Sequence, residues 1–149
     1  MMKWYTFLAT LGPIGYLPAP GTMATLITLP IVYNLQVYVS VTSWYIAACL
    51  VMGVIGLIAV HKTLHYLKRF DDPSEIVIDE VVGCMITFIG ISWSVESALL
   101  GFILFRFFDI FKIAGIYYVQ QLEDEWGIML DDVLAGIFAN LLLRLFFKL

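Results

Sequence analysis

Residues 44–60 read Trp-Tyr-Ile-Ala-Ala-Cys-Leu-Val-Met-Gly-Val-Ile-Gly-Leu-Ile-Ala-Val, a run without a single charge. It continues into His61-Lys62-Thr63-Leu64-His65-Tyr66-Leu67-Lys68-Arg69. A helix needs about 20 mainly apolar residues to cross a hydrocarbon core, so this is the best transmembrane helix in the chain. Lys62, Lys68 and Arg69 place its end in the cytoplasm under the positive-inside rule.

Working outward, four more apolar stretches appear. Residues 23–39 are interrupted by Pro30, Asn34 and Gln36. Residues 76–93 carry Asp79 and Glu80 near their start. Residues 95–119 are interrupted by Arg106, Asp109 and Lys112. Residues 128–149 follow a polar segment, 120–127, and begin with Asp131-Asp132. Short connections make neighbouring helices antiparallel. The expected fold is therefore all-α: one domain, residues 1–149, built as a compact integral-membrane bundle of about four to five membrane-embedded helices. Charge-free runs of only 10–14 residues in the last three stretches leave a soluble helical bundle as an alternative. Arg144 and Lys148 would fall on the outer side, which counts against full insertion of the last helix.

Composition supports the membrane class. The chain of 149 residues is 62% apolar and 13% charged, against roughly 45–50% and about 25% in soluble domains. This excludes a disordered chain, a collagen, a coiled coil and a disulfide-stapled module. A net charge of -4 argues against nucleic-acid binding, which needs a basic face. Cys49 and Cys84 lie in apolar runs and read as small fillers. Residues 1–11 lack the cleavage pattern of a removable signal peptide.

The topology gathers the charges. The Pro-Gly segment before residue 23, Asp71-Asp72, Asp79-Glu80, Arg106/Asp109/Lys112 and Asp131-Asp132 all fall toward the cytoplasmic face, as a polar site at the end of an apolar bundle. Charges in such helices are expensive and are functional candidates by default. Asp79, Glu80, Asp109, Asp131 and Asp132 offer the oxygen ligands that Mg²⁺ takes. The competing role for the two pairs is helix N-capping, which explains one acid per helix. Arg106 and Lys112, with Asp109, line one side of a helix and suit phosphate oxygens. Leu17-Pro18-Ala19-Pro20-Gly21-Thr22 cannot be regular helix, and its backbone could cradle a phosphate. Small residues at Asp132/Gly136/Asn140 and Asp131/Ala135/Ala139 let helices approach closely. His61 and His65 read as an interfacial helix face, and Glu123-Asp124-Glu125 as a solvated loop.

Four blocks then carry a family resemblance: Pro18-Ala19-Pro20-Gly21-Thr22; Asp72-Pro73 through Ile76-Val77-Ile78-Asp79-Glu80 and Gly83; Phe105-Arg106-Phe107-Phe108-Asp109-Ile110-Phe111-Lys112; and Gly127-Ile128-Met129-Leu130-Asp131-Asp132-Val133-Leu134-Ala135-Gly136. In this order they resemble the phosphatidylglycerophosphatase A family. The resemblance implies a Mg²⁺-dependent lipid phosphatase of phospholipid biosynthesis, multi-pass in a bacterial-type inner (cytoplasmic) membrane. It would convert phosphatidylglycerophosphate to phosphatidylglycerol and phosphate on the cytoplasmic leaflet. Asp79, Glu80, Asp109, Asp131 and Asp132 would then be the acidic core that holds metal. Arg106 and Lys112 would bind the phosphate, with Pro20, Gly21 and Thr22 beside the substrate. Asp131 or Asp132 would activate water or attack directly. The chain departs from the family pattern at Ala24-Thr25, where a Gly-Ser pair is usual. It departs again at Ile113-Ala114-Gly115, where prolines are usual, so a straighter exit from that helix is expected. A cation-binding transporter and a non-catalytic membrane subunit are the alternative functions.

Overall fold

The computed structural model describes residues 3–39, 41–68, 73–113, 115–122 and 124–148. Arg69, Asp71, Asp72, Ala114 and Glu123 lie outside the described residues. The described elements are helical: α1 (Trp4–Ala9), a 3₁₀ turn (Ile14–Tyr16), α2 (Pro20–Tyr38), α3 (Thr42–Leu67), α4 (Ile78–Thr87), α5 (Val95–Phe111), α6 (Ile116–Gln120) and α7 (Asp124–Phe147). Four long helices, α2, α3, α5 and α7, surround α4, which packs against all of them.

Helix α4 departs most from the sequence expectation. The apolar run 76–93 yields only ten helical residues, about 15 Å of helix at 1.5 Å per residue. That is half a hydrocarbon core of about 30 Å. Ile78, Asp79, Val81, Val82, Gly83, Cys84, Met85 and Thr87 are all buried. A short helix that is apolar all round is a core helix, and apolarity alone does not separate protein contact from lipid contact. Among the described residues one helix, α3, is long and apolar enough to cross a membrane. At 26 residues it spans about 39 Å.

Ending α4 early leaves carbonyl groups without helical partners, and such groups are costly when buried. Side chains from three surrounding helices supply donors. Asn140 Nδ2 donates to Thr87 O and Ile89 O, both at 2.9 Å. Arg144 Nη2 donates to Ile89 O at 2.8 Å, and its Nε to Asn140 Oδ1 at 2.9 Å. Gln36 Nε2 donates to Phe88 O at 3.1 Å, and Tyr45 Oη to Met85 O at 2.9 Å. Gln36 and Arg144 therefore cap the central helix. Their presence in apolar segments is a packing requirement, and Arg144 carries no message about membrane orientation.

Local signals explain the other boundaries. Pro20 occupies the first turn of α2, where its missing N–H costs nothing. Ser94 and Ser97 form a reciprocal capping box at the start of α5, with N–H···Oγ distances of 3.0 and 2.8 Å. The α5 exit is not straight. Lys112 turns left-handed (φ 47°), Gly115 follows at φ 89°, and α6 starts a new direction. The polar segment 120–127 is largely helix rather than loop, because α7 begins at Asp124. Asp124 and Glu125 occupy its first turn, where carboxylates are favoured. Glu125 Oε1 pairs with His61 Nδ1 at 2.9 Å.

Candidate active site

A cavity of about 320 Å³ opens where the starts of α2 and α4, the end of α5 and the third turn of α7 converge. Its lining includes Pro20, Gly21, Thr22, Asp79, Glu80, Arg106, Asp109, Lys112, Asp131 and Asp132. Every site residue expected from the sequence therefore faces one space, drawn from four helices.

Two close approaches bring the pieces together. Gly136 of α7 and Gly83 of α4 meet backbone to backbone, and a Cβ on either would overlap the other helix or Phe105. This crossing holds Asp132, one turn before Gly136, beside the first turn of α4. On the other side, a Cβ at Gly21 would overlap Glu80 Oε1 and lie 3.0 Å from Arg106 Nη1. Residues 20–22 are the first turn of α2, so the irregular stretch ends at Ala19, which is left-handed at φ 52°.

The five carboxylates fall into two groups. Asp79, Glu80 and Asp132 place ligand oxygens within 4.8 Å of one another. Asp109 and Asp131 instead face Lys112. Lys112 Nζ donates to Asp109 Oδ1 at 3.1 Å and makes a closer contact with Asp131 Oδ2. Asp131 Oδ1 also accepts the N–H of Asp132 at 2.8 Å. Arg106 joins the groups, with Nη1 against Asp109 Oδ2 and 3.7 Å from Glu80 Oε1. Asp131 and Asp132 lie in the third turn of α7 and not at its start, so N-capping does not account for them. Asp79 and Glu80 do occupy a first turn.

The electrostatics show what the cavity is short of. Five carboxylates face two cations. Burial pushes the Glu80 carboxyl up to about 7, against a hydrogen bond with Asp79; the Asp109 charge adds to the rise and Arg106 offsets part of it. Burial works against the Lys112 ammonium, yet Asp132, Asp131 and Asp109 together hold it above its ordinary range. Glu80 Oε2 and Asp132 Oδ1 are buried and accept no hydrogen bond. Buried polar atoms of this kind call for a partner. Clustered hard oxygen donors fit a divalent cation such as Mg²⁺. Arg106 Nε is buried without a hydrogen-bond partner, while Nη1 stays against Asp109, which leaves part of the guanidinium for an anion.

Sequence reasoning placed the site residues together but missed their division into two groups. It also missed the residues that fix α4 from its far end. The available signal was placement: Gln36, Asn140 and Arg144 are polar residues set in otherwise apolar stretches.

A family model described as Phosphatidylglycerophosphatase A matches residues 7–147. A Haemophilus influenzae protein named phosphatidylglycerophosphatase A is 39% identical over 126 residues, covering 82% of this chain and 75% of its own. The Escherichia coli protein of that name is 32% identical over 124 residues, covering 79% and 68%. A Bacteroides thetaiotaomicron protein, provisionally named a phosphatidylinositol-3-phosphatase, is 34% identical over 138 residues, covering 87% and 84%. No solved structure gives a significant match.

Proposed function

The chain belongs to the phosphatidylglycerophosphatase A family, and on that premise we propose that it hydrolyses the phosphomonoester of phosphatidylglycerophosphate to phosphatidylglycerol and phosphate. The observation that carries this reading is the convergence of three carboxylates within 4.8 Å of one another beside Arg106 and Lys112 in one cavity.

Asp79, Glu80 and Asp132 would hold Mg²⁺, which supplies positive charge beside the transferring phosphoryl group. Arg106 forks onto phosphate oxygens through its under-used donors. Lys112 moves from Asp131 toward the phosphate as substrate enters. That movement frees Asp131 Oδ2 to take a proton from the attacking water. The water oxygen bonds to phosphorus as the ester P–O bond breaks in line, and the glycerol alkoxide leaves with a proton from solvent at the cavity mouth. Positive groups fixed around the phosphate stabilise its developing charge without reorganisation. Pro20, Gly21 and Thr22 bound the substrate side.

The membrane setting completes the reading. The outward faces of α2, α3, α5 and α7 expose large apolar side chains, among them Ile31, Leu50, Ile103 and Leu145. These four helices would be embedded in a bacterial-type inner membrane, with α4 entering half-way and its end sealed inside protein, where non-helical backbone is tolerated. The α3 end bearing Lys62 and Lys68 is the end of the bundle where the cavity lies, so the site would face the cytoplasm. The five site carboxylates gather with Arg106 and Lys112 at one end of the bundle, which favours an interfacial enzyme over a cation path.

A second substrate reading rests on the Bacteroides relative: a phosphorylated inositol lipid could use the same cavity chemistry. The test is phosphate release in mixed micelles from phosphatidylglycerophosphate and, separately, phosphatidylinositol 3-phosphate. Each is run with Mg²⁺ and with chelator, for the natural chain and Asp131→Asn. Metal-dependent release from the glycerol lipid, lost in the variant, supports the proposal. Release from the inositol lipid alone transfers the chemistry to the second substrate. Release from neither by a folded, Mg²⁺-supplied enzyme refutes both.

A further inference from the structure

The charges of this chain are divided along its length. No Asp or Glu precedes Asp71, while Lys3, Lys62, Lys68 and Arg69 fall before it; all twelve acidic residues lie from Asp71 onward. The fold converts part of this division into a surface. Helix α1 packs against α3, with Tyr5 and Tyr66 rings 6.0 Å apart and Trp4 5.6 Å from Tyr5. Lys62 Nζ lies 5.0 Å above the Trp4 ring. Lys3, Lys62 and Lys68 are exposed, and among the described residues no carboxylate pairs with any of them. Trp4, Phe7 and Tyr66 are each more than half exposed, at 59%, 52% and 52%.

We propose that this corner of α1 and the end of α3 docks onto the anionic phospholipid headgroups of the adjoining leaflet, as a binding surface separate from the catalytic cavity. Three observations point to this occupant. The lysines complement phosphate and pair with no acid among the described residues. Exposed Trp and Tyr beside them suit the boundary between headgroups and acyl chains. The surface is also continuous with the outward apolar face of α3, where Ile55 and Ile58 are exposed. An acidic protein would use the lysines but leave that apolar continuation unused. Lysine stems lie along apolar surface while their ammonium groups reach the headgroups.

The surface is connected to the site. Ala9 O, at the end of α1, accepts the N–H of Val77 at 2.8 Å, one residue before α4. Residues 10–19 then lead into Pro20, Gly21 and Thr22. Docking of α1 thus sets the depth of the cavity mouth relative to the headgroups.

The test uses the full chain in vesicles of equal parts phosphatidylcholine and phosphatidylglycerol. Acyl chains are brominated on one lipid and then on the other. Trp44, Trp93 and Trp126 are replaced by Phe so that quenching reports Trp4. Each lysine near an anionic surface accounts for about a five-fold preference. The expected result is therefore several-fold stronger quenching by brominated phosphatidylglycerol, fading at high salt and lost when Lys3, Lys62 and Lys68 are all Gln. The all-Arg version retains it, which separates charge from folding. Equal quenching by both lipids in the chain with its lysines intact overturns the proposal. A preference that survives the triple Gln change, or that vanishes in Asp131→Asn, also overturns it, the latter assigning the lipid to the catalytic cavity. The outcome does not depend on which lipid phosphate is hydrolysed.

Discussion

Gly136 lies directly against the carbonyl oxygen of Gly83, closer than any side chain at that position would allow. This contact sets the spacing between α4 and α7, and with it the distance from Asp132 to Asp79 and Glu80. Gly136→Ala is expected to destabilise the fold by about 1–3 kcal/mol through overpacking. It should also weaken Mg²⁺ binding, because the carboxylates are forced apart. Thermal melting with and without Mg²⁺ checks both effects, and a melting temperature equal to that of the natural chain would show that the crossing has slack.

Asp132 and Glu80 each hold a buried oxygen with no hydrogen-bond donor. A ligand that binds only the folded state raises stability by mass action, so Mg²⁺ should raise the melting temperature of the natural chain. In Asp132→Asn this shift should disappear and turnover should fall at least about 100-fold, the scale seen when metal sites are disturbed. Calorimetric titration with Mg²⁺ gives a reading that does not require activity.

Arg106 is the planar cation of the cavity. Lysine keeps the charge but loses the two-pronged donor geometry. Arg106→Lys should lower kcat/KM by about 10²–10³-fold, the usual loss for a donor to a transition-state oxyanion. Melting should change little. A KM effect with unaltered kcat would place Arg106 in ground-state binding only.

Glu80 makes the metal-free protein sensitive to pH. Its carboxyl is raised in the folded state from an ordinary value near 4.5 to about 7, so the folded chain binds this proton more tightly than the unfolded one. Its contribution is fully present below pH 4.5 and is lost as pH rises through about 7. Chelator-treated protein should therefore melt at lower temperature at pH 7 than at pH 5. Glu80→Gln should flatten that slope, which pH-dependent melting curves will show.

Asn140 acts at the opposite end of α4. Replacing it with Leu removes the donor to Thr87 O and Ile89 O and breaks the pair with Arg144. Buried carbonyls left without a donor cost about 1–3 kcal/mol. Asn140→Leu should lower the melting temperature accordingly. The activity remaining in the folded fraction should show a larger change in Mg²⁺ dependence than in lipid KM, measured by metal titration of initial rates.

The site was legible because its chemistry is local in sequence. Arg106, Asp109 and Lys112 recur at three-residue spacing, and Asp79-Glu80 and Asp131-Asp132 stand out as acids in apolar surroundings. What the sequence hid depends on distant contacts. The end of α4 at Thr87 is set by Asn140 and Arg144, more than fifty residues away in the chain, and not by any local breaker before Gly90. The apolar run through residue 93 gives the same pattern whether protein or lipid covers it. The start of α7 was obscured differently. Acidic residues such as Asp124 and Glu125 suit a solvated loop and a helix first turn equally well, and the pairing of Glu125 with His61 on α3 is a contact that no local pattern announces.

The cavity draws Gly21 from α2 and Asp132 from α7, residues at opposite ends of the polypeptide. During synthesis the amino-terminal part emerges first, so α1 to α5 exist for a time without the last carboxylates. A nascent chain halted before α7 would have Arg106 and Lys112 in place with no Asp131 or Asp132 to oppose them. On the proposed mechanism such a chain would lack its base and a metal ligand and would be silent, so hydrolysis of lipid would report that α7 has packed.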